Sequence, residues 1–146
     1  MAIRETICRK SVYTHQLFDE RLVSMRFELT SECVAINLNV ACAPTEACPK
    51  TELKEECWKK LGHMVQEIPT KERMFVLVDA NARTGKRMDE CGDGRVLGAY
   101  GRDELNSNGK YLQIFAKNNK LARENTFFST RNGGVASKHT DLVCTM

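Results

Sequence analysis

The chain lacks any apolar run near the roughly 20 residues that a membrane-spanning helix needs. Its opening stretch, Met1 to Lys10, has no apolar core of a secretion signal. These absences point to an intracellular protein, in the nucleus or cytoplasm, with no membrane partner. Internal repeats and low-complexity tracts are missing as well. Charge of one sign is in short supply: 22 Lys and Arg against 19 Asp and Glu leave a net +3. So slight a basic excess is compatible with a polyanionic partner without specifying one.

Several site signatures are also missing. Thr84-Gly85-Lys86 resembles the end of a phosphate-binding loop. That motif needs Gly well before Gly85 and Ser or Thr after the Lys, where Ala80 and Arg87 stand. Asn108-Gly109-Lys110-Tyr111 fails for the same reason, and Gly98-Ala99-Tyr100-Gly101 is no dinucleotide fingerprint. The seven cysteines are odd in number and irregularly spaced. Without an export signal, reduced thiols are expected rather than a disulfide framework. Cys42, Cys48, Cys57 and His63 are spaced too widely for a structural zinc site. None of His15, His63 and His139 has the surroundings of a catalytic triad.

What is present suits one mixed α/β domain over residues 1–146, long enough to bury a core. Ser24 to Leu29 alternates Met25, Phe27 and Leu29 with Arg26 and Glu28, the period of a half-buried strand. A turn at 30–32 leads to a second strand, Cys33 to Cys42. Val34, Ile36, Leu38 and Val40 lie on one of its faces, and Ala35, Asn37, Asn39 and Ala41 on the other. Pro44 closes that strand. A helix is expected from near Pro49 to Gln66, its apolar face built from Leu53, Cys57, Leu61, Met64, Val65 and Ile68, and Pro69 ends it. Met74 to Val78 reads as a strand buried on both faces, because it does not alternate. Residues 82–105 read as a long glycine-rich loop, the kind that is either functional or disordered. Asn108 is the expected cap of a helix over 109–118, with Leu112, Phe115 and Ala116 inward. A strand over Leu121 to Phe128 and a turn at 132–134 complete the order β-β-α-β-α-β. His139-Thr140-Asp141 reads as a near-terminal polar segment. Neither end carries the caps and polar tail of a finished domain, so a fragment is expected.

The most informative stretch is 74–87. An apolar strand stops at Asp79, Asn81 follows, and Arg83, Gly85, Lys86 and Arg87 come next. One reading is a turn, with Asn81 in a tight backbone conformation. The other is a site. A carboxylate at the end of a buried strand carries a desolvation cost unless a metal or donor meets it. That cost favours the site.

Val78-Asp79-Ala80-Asn81-Ala82 resembles the Gly-Asp-Phe-Asn-Ala motif of the endonuclease/exonuclease/phosphatase superfamily, with Val78 in place of Gly. Further stretches are similar to its craniofacial development protein 2-like branch, close to the endonucleases of non-LTR retrotransposons. They are Tyr13-Thr14-His15, Asp19-Glu20-Arg21, Ser24-Met25-Arg26-Phe27, Ala43-Pro44-Thr45-Glu46, Leu97-Gly98-Ala99-Tyr100-Gly101-Arg102, Asn108-Gly109-Lys110 and Asn125-Thr126-Phe127-Phe128. The resemblance runs over about residues 4–134, and residues 135–146 diverge.

The resemblance implies part of a four-layer α/β sandwich of the DNase I-like type, hydrolysing nucleic-acid phosphodiesters, DNA or RNA, with Mg²⁺ or Mn²⁺. It makes Asp79 the group that positions or activates water and Asn81 the amide that orients water and phosphate. Thr45, Arg83, Lys86 and Arg87 would contact phosphates. The family's metal-binding Glu and its Asp-His pair have no counterpart here, and Cys42 replaces a Tyr whose hydroxyl serves the site. The implied product is a catalytically impaired nuclease relative or a non-catalytic binding remnant. A dimer or partner chain would complete its sheets.

Overall fold

A computed structural model describes residues 11–29, 34–85, 96–98, 104–127 and 141–145. The elements are strands β1 (Ser11–Asp19), β2 (Leu22–Leu29) and β3 (Val34–Cys42), helix α1 (Thr51–Gln66) and strand β4 (Arg73–Asp79). Helix α2 (Ser107–Asn118), strand β5 (Leu121–Arg123), a 3₁₀ turn (Glu124–Thr126) and strand β6 (Asp141–Thr145) follow. The six strands form one mixed sheet in the order β1-β2-β3-β4-β6-β5. Only β3 and β4 run parallel; the other pairings are antiparallel. A parallel pair needs a crossover, and α1 supplies it.

The register explains the core. Leu22, Ala41, Val76 and Val78 share one sheet face and are buried with Trp58, Leu61, Met64 and Val65 of α1 and Leu112, Phe115 and Ala116 of α2. Each large aliphatic chain so buried contributes roughly 1.5–3 kcal/mol. The other face carries Val23, Met25, Ile36, Leu38, Val40, Phe75 and Leu77, all half-buried.

Before β4, Glu72 clamps three strands together. Arg26 donates Nε to its Oε2 at 3.0 Å and a terminal nitrogen to its Oε1 at 2.8 Å, and Asn37 donates to Oε2 at 2.8 Å. The Arg26 guanidinium, with help from Asn37, holds the Glu72 carboxyl down to about 2.

The hairpin, the crossover helix and the central strand agree with the sequence reading; other parts do not. Strands β1 and β6 were not expected. The first has a polar run, Thr14-His15-Gln16, in place of alternation, and the second is a short segment given its partners by the sheet, lying between β4 and β5 and starting at Asp141 of the supposed polar tail. In β3 the Ala35-Asn37-Asn39-Ala41 face is the buried one, and the more apolar Ile36-Leu38-Val40 face is half-buried, a choice the sequence reading left open. Strand β4 alternates after all, with Met74, Val76 and Val78 buried and Phe75 and Leu77 half-buried.

In α1, Leu53 is 46% exposed. Lys54 is buried instead, its ammonium bonded to the Glu46 carbonyl at 3.0 Å and the Ser107 hydroxyl at 3.3 Å. Helix α2 starts at Ser107 with Asn106, not Asn108, as its cap. The segment after it is a three-residue strand and a 3₁₀ turn rather than a longer strand. Bridges Thr84–Leu105 and Leu97–Arg123 anchor the described parts of the 82–105 loop. The turns expected at 30–32 and 132–134 lie outside the described residues.

Candidate functional site

Parallel β3 and β4 end side by side, and their register sets Cys42 opposite Asp79. The C-terminal ends of neighbouring parallel strands are a recurrent place for ligands in α/β folds. Ala43 N–H donates to the Asp79 carbonyl at 2.9 Å, which carries the pairing one residue further. By alternation, Asp79 lies on the half-buried face with Leu77 and Phe75. Its Oδ1 is buried and has no hydrogen-bond partner among the described residues. A structural turn residue would use that oxygen to cap a backbone N–H. A buried acceptor of this kind is open to a donor, a water or an ion.

Ala80 is fully buried and pins the chain between Asp79 and Asn81. Asn81 then turns left-handed, with φ +47°, a region that Asn tolerates better than most residues. Its Nδ2 donates to the Ala43 carbonyl at 3.1 Å. The amide keeps a second N–H and its Oδ1. Arg83 is exposed, and its guanidinium pairs with the Glu104 carboxylate. Such an exposed pair contributes about 0–1 kcal/mol, so a phosphate can compete for it. Thr84 is buried, accepts a bond from the Arg123 guanidinium at its hydroxyl, and its carbonyl accepts from Gln113 at 2.6 Å. Gly85 takes φ +70° and donates to the Glu104 carbonyl at 2.7 Å.

The structure thus brings Cys42, Asp79 and Asn81 to one end of the sheet. Thr45 is exposed and lines an open cleft of about 630 Å³ beside α1, with Asp19, Arg21, Cys48, Leu53 and Lys60. Neither Asp79 nor Asn81 lines that cleft among the described residues. Lys86 and Arg87 lie outside the described residues. Among the described residues no group of three or more His, Cys, Asp or Glu side chains is placed to hold a metal ion. Cys57 belongs to the core, where burial first, and then the Asp19 charge, push its thiol up.

Two partners of this region escaped the sequence reading. Glu46 accepts from the Ser107 hydroxyl at 2.8 Å and from the Ser107 and Asn108 N–H groups at 3.4 and 3.3 Å. Burial acts to raise its carboxyl, and these donors outweigh it, so the group sits below the usual range. Asn106 is the other. It accepts from Arg83 N–H and Gly109 N–H, both at 2.8 Å. Asn is as good a helix cap at 106 as at 108, so the sequence alone did not choose between them.

No protein-family profile matches the chain, and no curated protein matches it. Solved structures do. The endonuclease domain of TRAS1, a telomere-specific non-LTR retrotransposon, superimposes with a TM-score of 0.56 at 15% identity, over 92% of this chain and 56% of that one. The fold is that of the DNase I-like nucleases. A 3'-5' exonuclease from Neisseria meningitidis gives 0.52 at 12% identity, over 91% of this chain and 57% of its own. The human Nocturnin catalytic domain gives 0.52 at 11%, over 93% and 48%. The chain therefore spans about half the length of these structures. At such identities the likeness shows the fold alone. No helix among the described residues is long and apolar enough to cross a membrane.

Proposed function

We propose that this chain is a nuclease-type domain directed at nucleic-acid phosphodiesters, DNA or RNA, with Asp79 and Asn81 at the centre of its site and with impaired hydrolysis. The single observation carrying this reading is the buried Asp79 Oδ1, without a partner among the described residues, at the end of β4 in a DNase I-like fold. Asn81 supports it, since its free N–H and Oδ1 can orient a phosphate oxygen or a water. Arg83, Lys86, Arg87 and Thr45 would add sequence-independent phosphate contacts that weaken with salt. Kinship with the craniofacial development protein 2-like, retrotransposon-endonuclease-like branch is part of the proposal and rests on the motifs around residues 13–45 and 97–128. A nuclear or cytoplasmic setting, where nucleic acids are, fits it. A second copy or partner chain against the half-buried sheet face would complete the packing.

The resemblance implies Mg²⁺ or Mn²⁺, which neutralises phosphoryl charge in such reactions. The described residues do not fit that ion by themselves. Mg²⁺ favours near-octahedral hard oxygen ligands, and this end of the sheet offers the Asp79 carboxylate beside a soft Cys42 thiol. Asp79 can accept a proton from water or orient it. Alone it lacks the charge partners that make such a step fast.

In a plasmid-nicking assay with Mg²⁺ and with Mn²⁺, wild type is expected to stay at background, roughly 10³-fold or more below a complete nuclease. Nicking by wild type that disappears in Asp79→Ala would refute the impairment and leave the site assignment standing.

A further inference from the structure

We infer that Asn106 is a positioning residue for the Asn81 amide: it holds Asn81 in its left-handed conformation so that the amide faces a nucleic-acid phosphate. The inference rests on the functional reading above and adds a residue that acts through Asn81.

Asn106 turns its side-chain amide and its backbone N–H towards this end of the fold, while its carbonyl accepts from Lys110 N–H in the helix at 3.1 Å. Its Nδ2 donates to the Asn81 carbonyl at 3.0 Å. Its Oδ1 accepts from Arg83 N–H at 2.8 Å, one step past the turn. Its own backbone N–H donates to the Arg83 carbonyl at 2.9 Å. One side chain therefore grips the residues at 81 and 83 from both sides of Ala82. The same Oδ1 takes the Gly109 N–H and caps α2, so the grip is anchored to a helix rather than to a loop.

That anchor is itself pressed onto the turn. A Cβ on Gly109 would lie 2.0 Å from the Arg83 carbonyl oxygen. The start of α2 and the 81–83 backbone are in direct contact. Asn81 needs such support, because left-handed backbone is uncommon for residues with a side chain and persists where the surroundings dictate it. On its other side the Asn81 amide reaches Ala43, next to Cys42. Asn106, Asn81 and Ala43 thus form a chain of hydrogen bonds from the cap of α2 to the end of β3. It passes through the residue the site needs.

The two functions of Asn106 can be separated. Ser at 106 still caps a helix but is too short to reach the Asn81 carbonyl. Asp at 106 keeps the cap acceptor and loses the donor. An effect common to Asn106→Ser and Asn106→Asp belongs to the lost donor, since only the second adds charge.

The experiment measures affinity for a short fluorescent DNA duplex at low salt, with thermal melts and the ¹³Cα shift and HN–Hα coupling of Asn81. Both variants are expected to melt within a few degrees of wild type, to move Asn81 out of its left-handed signature, and to bind the duplex roughly tenfold more weakly. In an Asn81→Ala background, Asn106→Ser is expected to cost nothing further, because Asn106 acts through that amide. A merely structural role would still weaken binding there, and that result overturns the inference. So does an unchanged affinity in both single variants. If wild type itself ignores the duplex, the functional reading fails. The inference is then decided by the Asn81 signature alone: its loss in both variants supports positioning, and its persistence overturns it.

Discussion

Gly109→Ala is expected to destabilise the chain by roughly 3 kcal/mol or more, although the position is helical. Ala normally favours a helix over Gly by about 1 kcal/mol, so propensity points the other way. The contact decides the sign. A Cβ at 109 would lie 2.0 Å from the Arg83 carbonyl oxygen and 2.8 Å from its carbon, and both atoms are backbone. No rotamer relieves that overlap. Either α2 backs away from the 81–85 segment or the Asn81 turn opens. Retreat of the helix would also loosen Leu112, Phe115 and Ala116 in the core. Urea unfolding of wild type and variant checks this. A variant as stable as wild type, or more so, would show that α2 does not press on the turn.

The second large effect is at Trp58, the one tryptophan in the sequence. It is buried where α1 meets α2, with its ring tilted 48° to Phe115 at a centroid distance of 5.7 Å. Trp58→Ala is expected to cost about 3–5 kcal/mol, from lost transfer energy and the cavity left behind. Trp58→Phe should cost much less, about 1–2 kcal/mol. Its Nε1 is buried without a partner among the described residues, so Phe loses area but also relieves an unsatisfied donor. Melts of the two variants test the order. Equal losses for Phe and Ala would mean that the indole nitrogen has a partner worth a hydrogen bond.

Much of this fold was legible because its signals are local. Met25, Phe27 and Leu29 alternate, the α1 residues Cys57, Leu61, Met64 and Val65 recur at helical steps, and Pro44 and Pro69 mark the stops. What escaped notice depends on neighbours. Strands β1 and β6 gain their identity from the strands beside them. The buried face of β3 is the one with Ala and Asn, and no period in the sequence ranks the two faces. Lys54 is buried because Glu46 and Ser107, distant in sequence, supply its acceptors.

The site divides the same way. Asp79 and Asn81 stood out as polar residues ending an apolar strand. Cys42 was named from the resemblance, and the register then set it opposite Asp79. Thr45 borders a cleft whose described lining includes neither Asp79 nor Asn81. Asn106, which grips the turn, lies 25 residues beyond Asn81. It carried no sign except a cap preference shared with Asn108.

The central claim is that the end of the sheet around Asp79 and Asn81 receives a nucleic-acid phosphate. Amide shift mapping of the ¹⁵N-labelled chain with a short DNA duplex at low salt tests it most directly. The expected perturbations gather at Cys42, Ala43, Asp79, Asn81 and Arg83 and fade as salt is raised. Perturbations confined to the cleft between Asp19 and Lys60, or none at all, would contradict it.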